Sequence, residues 1–249
     1  MEDLRMMRLD KFLAEMGAGS RQEVKKYIRK GLVSVNGDTV LEPKEKIDEQ
    51  NDRVCLQGNL VEYAAFEYYM LNKPAGVVSA AKDPKDTTVV DLIKDKKRKD
   101  LFPAGRLDKD TEGLLLITND GALAHRLLSP ARHVDKTYFV RVDGMVTKTE
   151  QDAFRQGINI GTDEEEEWTK PARMEIQKSA GISEVLLTIQ EGKYHQIKRM
   201  FQAVGMQVIY LKRLTMGNLT LDPELKPGEY RLLTKEELIN VTDEDAGGH

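Results

Sequence analysis

Residues 105–121, GRLDKDTEGLLLITNDG, set a charged hexapeptide directly against four consecutive aliphatics. Leu114, Leu115, Leu116 and Ile117 predict a short core strand, and Asn119-Asp120-Gly121 the turn that ends it. A carboxylate at the mouth of a packed strand is held by the scaffold, as a preorganised nucleophile requires. The same residues have two other readings. Asp108, Asp110, Glu112 and Gly113 fall at loop positions 1, 3, 5 and 6 of an EF-hand calcium site. Position 12 is Asn119 rather than a bidentate Glu, however, and Phe102-Pro103-Ala104-Gly105 cannot be an entering helix. An ordinary acidic turn, with Asp108 bonding nearby backbone amides, also fits the local spacing.

At 249 residues the chain exceeds one typical domain, and 40% hydrophobic content suffices for packed cores. It contains no apolar run of about 18 residues, and MEDLRMMRLD lacks the apolar region of a signal peptide, so a cytoplasmic protein with no membrane partner is expected. A single cysteine, Cys55, cannot form an internal disulfide. No Cys or His cluster has metal-ligand spacing, so no metal is expected. The net charge of −4 conceals an uneven distribution. Asp163 to Glu167 contributes −5, and residues 222–249 hold eight acids against three bases, which leaves +6 on the remainder. Residues 94–109 carry seven bases against three acids, and residues 190–213 five against one. Such local patches, rather than the total, decide contacts with phosphate.

Ser20 followed by Glu23 is a capping-box pattern opening a helix to about Lys30, where Gly31 ends it. Asn36-Gly37 between Leu32–Val35 and Thr39–Leu41 is a strong hairpin signal. Two short helices and a hairpin over residues 1–60 therefore form a compact first domain, with residues 61–66 as linker. A second domain over residues 67–242 has strand candidates at 67–71, 137–142, 173–176, 185–189 and 208–214. Helices are expected near 122–128, 148–156 and 195–204, with Gly157 and Gly205 as stops. Thr234 and Glu237 begin another capping box over 234–241, and residues 243–249 read as a disordered acidic tail. Strands and helices without regular alternation indicate an α+β fold with a largely antiparallel mixed sheet.

Four motifs occur in order: Lys73-Pro74-Ala75-Gly76, GRLDKDTEGLLLITNDG, Lys136-Thr137-Tyr138, and EGKYHQIKRMF from Glu191 to Phe201. Together they resemble the pseudouridine synthases of ribosomal RNA that carry a small S4 RNA-binding domain in front. The segment MRLDKFLAEMGAGSRQEVKKYIRKGLVSVNG resembles that S4 domain. Tyr194-His195 and SPARHVDKTYFV are similar to the small-subunit (RsuA-type) branch. The resemblance implies isomerisation of a uridine in ribosomal RNA, most closely the 16S species: the N1–C1′ bond breaks, the uracil turns, and it rejoins through C5. No atoms are gained or lost, so no cofactor is expected. The implied partner is ribosomal RNA within a small-subunit assembly intermediate, and a monomer is expected.

By the same resemblance Asp108 is the catalytic carboxylate. A desolvated Asp stays charged only beside a cation. Lys198 matches the family's basic residue, and it flanks the apolar stripe Ile197, Met200, Phe201 and Val204 by about 100°. Arg199 is the nearest competitor and is otherwise assigned to RNA. Tyr138 shares a strand face with Val140 and Val142, a position usual for a core tyrosine. The resemblance instead places its ring against the target uracil. Arg106 is implied to hold the flipped nucleotide, while Lys73 and Pro74 look structural. In the first domain Arg8, Lys11, Arg21, Lys25, Lys26, Arg29 and Lys30 are the expected RNA contacts. Two alternatives stand beside this reading: a large-subunit enzyme of the same family, and a non-catalytic ribosome-assembly factor.

Overall fold

The computed structural model describes residues 6–49, 51–129, 132–162 and 164–242; the acidic tail expected at 243–249 lies outside them. Two compact units separate, one reaching Glu67 and including Lys94–Leu101, the other comprising Tyr68–Ile93 and the chain from Phe102 onward.

In the first unit, β1 (Met6–Arg8) leads into α1 (Leu9–Glu15) and α2 (Arg21–Arg29). The Ser20 hydroxyl accepts from the Glu23 amide while the Glu23 carboxylate accepts from the Ser20 amide, the reciprocal cap expected from the sequence. Strands β2 (Val33–Val35) and β3 (Asp38–Thr39) form the hairpin, with Asn36 and Gly37 both at positive φ (54° and 98°), the type I′ requirement. Strands β4 (Lys46–Asp48), β5 (Val54–Leu56) and β6 (Asn59–Leu60) complete the unit. β1 pairs with β4, and the other four run in the order β3-β2-β5-β6. The core comprises Leu9, Phe12, Leu13, Val24, Ile28, Val33, Ile47 and Val54.

Part of the basic 94–109 segment belongs to this unit. Arg98 is buried, and its guanidinium donates to Glu15, Asp100 and the Ala64 carbonyl. The Arg98 amide donates to the buried Glu67 carboxylate at 2.8 Å. A cation with this many internal acceptors is a structural cross-link rather than a phosphate contact.

The second unit contains, in order, β7 (Tyr68–Lys73), α3 (Val89–Leu92), β8 (Phe102–Pro103), β9 (Glu112–Thr118), α4 (Gly121–Leu128), β10 (Lys136–Asp143), α5 (Lys148–Gln156), β11 (Arg173–Lys178), β12 (Ile182–Ile189), α6 (Gln196–Ala203), β13 (Gln207–Met216), β14 (Leu219–Thr220), β15 (Tyr230–Leu232) and α7 (Lys235–Thr242). Its sheet runs β11-β12-β10-β13-β9-β7-β15, with β14 on β13 and β8 on β9. Every pairing is antiparallel except β9 with β13. The α+β fold with a largely antiparallel mixed sheet is therefore present. Leu114, Leu115, Leu116 and Ile117 are fully buried at its centre, on β9.

Gly113 makes the parallel crossing possible. Its φ is +102°, and a Cβ there would lie 2.2 Å from the Arg213 carbonyl oxygen and 2.7 Å from the Arg213 amide nitrogen. Only glycine allows β13 to approach the root of β9 so closely. At the other end of β9, Asp120 caps α4 by accepting from the Leu123 amide at 3.0 Å.

Candidate active site

The loop from Arg106 to Thr111 is held in place from below. Lys73, at the end of β7, is fully buried. Its ammonium donates to the carbonyls of Thr111 (2.8 Å), Asp108 (3.0 Å), Pro74 (3.1 Å) and Lys109 (3.2 Å). Burial pulls the Lys73 pKa down to about 8, although Asp110, Asp108 and Glu112 oppose the fall. Ser79 pins the preceding residue, its hydroxyl donating to the Leu107 carbonyl at 2.8 Å and accepting from the Leu107 amide at 3.0 Å. The Gly76 amide adds a bond to the Lys109 carbonyl at 2.7 Å. Backbone fixed at this many points leaves Asp108 little conformational freedom.

Facing the loop is α6. Ile197, Met200 and Phe201 are buried, and Phe201 packs on Phe154 at 4.9 Å between ring centroids. This anchoring turns Lys198 toward the loop, where its Nζ lies 3.1 Å from Asp108 Oδ2 and 2.6 Å from Asp110 Oδ1. Burial works against the Lys198 charge, but the hydrogen bonds to the two carboxylates outweigh it and raise the pKa. Asp110 is lowered, chiefly by its bond to Lys198. His195 Nε2 is 3.6 Å from Asp108 Oδ1.

Asp108, Lys198 and His195 line a cavity of about 80 Å³ together with Arg106, Tyr138 and Leu211. Tyr138 is nearly buried on the β10 face that also carries Val140 and Val142. Arg106 is exposed at the rim. All of the residues proposed for chemistry from sequence thus meet at one concavity. Arg199 does not join them: its guanidinium donates to the carbonyls of Ile160 and Tyr194 and to the Glu167 carboxylate. Sequence reasoning left Lys198 and Arg199 as rivals for the contact with Asp108, and it is Lys198 that reaches the carboxylate. It missed the second acid on Lys198, Asp110, and the pinning role of Ser79. Neither residue carries a local signal, because each acts through a partner distant in the chain.

The basic residues of the first unit fall into two groups. Asp10 is buried and holds Arg8 through two bonds, 3.0 Å and 2.7 Å, with Lys25 at 3.8 Å. Burial favours protonation of Asp10, but the Arg8 hydrogen bonds and the Lys25 and Arg21 charges prevail and lower its pKa. Lys11 pairs with Glu15 at 3.7 Å. Arg21, Lys26, Arg29 and Lys30 are exposed and make no ion pair among the described residues. No group of three or more His, Cys, Asp or Glu among the described residues has metal-site geometry. No described helix is long and apolar enough to cross a membrane.

Residues 67–203 match the family model for RNA pseudouridylate synthases, and residues 7–54 match the S4 domain. The chain belongs to the RNA pseudouridylate synthase family. It is similar to the RNA pseudouridine synthase YtzG of Bacillus subtilis, with 51% identity over 96% of this chain and all of the relative. It is also similar to ribosomal small subunit pseudouridine synthase A of Escherichia coli, with 42% identity over 94% of this chain and all of that one. A crystal structure of a pseudouridylate synthase superposes with a TM-score of 0.65 at 39% identity, covering 94% of this chain and 99% of the other. The resemblance inferred from the four motifs and the S4 segment is borne out. The protein is an RNA pseudouridine synthase, an isomerase acting on RNA.

Proposed function

We propose that this synthase converts a uridine of small-subunit ribosomal RNA, presented in an assembly intermediate, to pseudouridine, with Asp108 as the nucleophile on a flipped-out nucleotide. The observation that carries this reading is the 3.1 Å pair between Lys198 and Asp108, at the wall of a cavity that also contains Tyr138. Lys198 sets a positive charge against the Asp108 carboxylate at the place where substrate would displace water. Tyr138 offers an aromatic face for the uracil and a hydroxyl for proton transfer. Arg106, exposed at the rim, holds the everted nucleotide by its phosphate or fills the space it leaves in the helix. The N1–C1′ bond is cleaved, C5–C1′ is formed, and the C5 proton departs as N1 gains one, so the atoms balance without a co-reactant.

The choice of small-subunit RNA is supported by the Escherichia coli relative named for that substrate and by Tyr194-His195 in the last motif. In the S4 unit, Arg21, Lys26, Arg29 and Lys30 have charges available for phosphates, whereas Arg8 and Lys25 are engaged with Asp10. The test is tritium release from ribosomal RNA containing [5-³H]uridine. Wild-type protein releases tritium; Asp108→Asn does not, while binding the RNA with nearly unchanged affinity. Substantial turnover by Asp108→Asn overturns the assignment.

A further inference from the structure

One aromatic feature at the site is not used by the chemistry. Tyr194 is 76% exposed, in a chain with only eight tyrosines, six phenylalanines and one tryptophan. Its ring stacks on His195, with centroids 3.9 Å apart and planes at 18°. His195 in turn lies 3.6 Å from the Asp108 carboxylate and lines the cavity. The order outward from the nucleophile is therefore carboxylate, imidazole, phenol.

The backbone is held in an unfavourable conformation to present these rings. His195 caps α6 from the left-handed region, φ 48° and ψ 33°, without a side-chain capping bond. A non-glycine residue there is strained and persists only where its surroundings impose it. The restraints are explicit. Arg199 Nη1 donates to the Tyr194 carbonyl at 3.2 Å, the Lys193 amide donates to Gln196 Oε1 at 2.9 Å, and Gln196 Nε2 donates to Glu191 at 2.9 Å. Arg199 and Gln196 thus fix the turn that displays Tyr194. Of the cations nearby, Lys193 and Arg199 are paired with Glu167 and Lys198 with Asp108 and Asp110, while Arg106 is exposed at the cavity rim, where a phosphate can reach it.

When a uridine leaves its stack, each neighbouring base loses a stacking partner. A rigid exposed ring on an aromatic backing can replace that partner whatever the base, because every base has a π-face. We propose that Tyr194, backed by His195, is the stacking platform for a nucleobase flanking the everted uridine. This inference rests on the synthase reading above.

The test compares KM and kcat for tritium release from a [5-³H]uridine-labelled small-subunit rRNA transcript by the full chain and by Tyr194→Ala, Tyr194→Leu, Tyr194→Phe and Tyr194→Trp. Losing one base-aromatic stack raises KM on the order of tenfold, with kcat unchanged within about twofold. Phe and Trp restore wild-type KM; Leu, apolar but without a π-face, does not. An active wild type matched by Tyr194→Ala, or full rescue by Leu, overturns this inference alone. A wild type that releases no tritium overturns the synthase reading and this inference with it.

Discussion

Lys73 offers the most exacting test of how the catalytic loop is held. The buried ammonium is surrounded by four backbone carbonyls, and its pKa falls from 10.5 to about 8. At about 1.4 kcal/mol for each tenfold change in proton affinity, keeping that amine charged costs the folded state about 3 kcal/mol. Because this lysine is depressed on folding, the unfolded chain binds the extra proton between pH 8 and 10.5. The penalty is therefore complete below pH 8 and is relieved as pH rises through that window. Lys73→Met removes the penalty but leaves the Pro74 and Thr111 carbonyls without a donor, each costing about 1–3 kcal/mol when buried, and opens a gap beneath the loop, while the Asp108 and Lys109 carbonyls keep the Thr111 and Gly76 amides. The variant should be less stable than wild type at pH 7. The gap should then widen by about 2–3 kcal/mol between pH 7.5 and pH 10, as only the wild type gains from deprotonation. Urea unfolding of both proteins, followed by far-ultraviolet circular dichroism across that range, measures the gap directly. Parallel stability curves would show that Lys73 does not titrate in this window. A variant as stable as wild type at pH 7 would show that the carbonyls find other donors.

Lys198→Met should lose far more tritium-release activity than Arg199→Met, since only Lys198 reaches Asp108; equal, mild losses would remove Lys198 from its role. Gly113→Ala should destabilise the second unit by roughly 3 kcal/mol and lower Tm by roughly 6–12 °C in calorimetry, because the added Cβ collides with the Arg213 backbone; an unchanged Tm would contradict the close approach. Replacing Arg29 and Lys30 with Ala should weaken rRNA binding and reduce the slope of log affinity against log salt by about 2 in filter binding, leaving kcat unchanged. Arg8→Ala should instead show its main effect as lower thermal stability, since it leaves the buried Asp10 without its bidentate partner.

Much of the local structure was legible where a few adjacent residues suffice to specify it. The Ser20–Glu23 and Thr234–Glu237 caps need only four consecutive positions, and the Asn36-Gly37 turn only two. The apolar run from Leu114 to Ile117 marked a core strand because charge on either side would have been costly to bury. Strands of two or three residues, such as β4, β6 and β8, escaped because periodicity has no meaning over so short a span. The position of Asp108 in a charged hexapeptide, and of Lys198 beside an apolar stripe, could likewise be read in sequence.

What the sequence by itself determined is the set of chemical groups available and the local segments that carry them: a carboxylate ahead of a buried strand, a lysine flanking a helix stripe, a tyrosine on a packed strand. Tertiary structure alone decided which groups meet. It brought Lys198 within 3.1 Å of Asp108 across 90 residues of chain and turned Arg199 away toward Glu167. It also placed Lys73 beneath the loop and made Arg98 an internal cross-link. The physical reason is that capping, turn geometry and hydrophobic periodicity act between near neighbours. Charge pairing and burial depend on distances set only once β9, β13 and α6 have packed together.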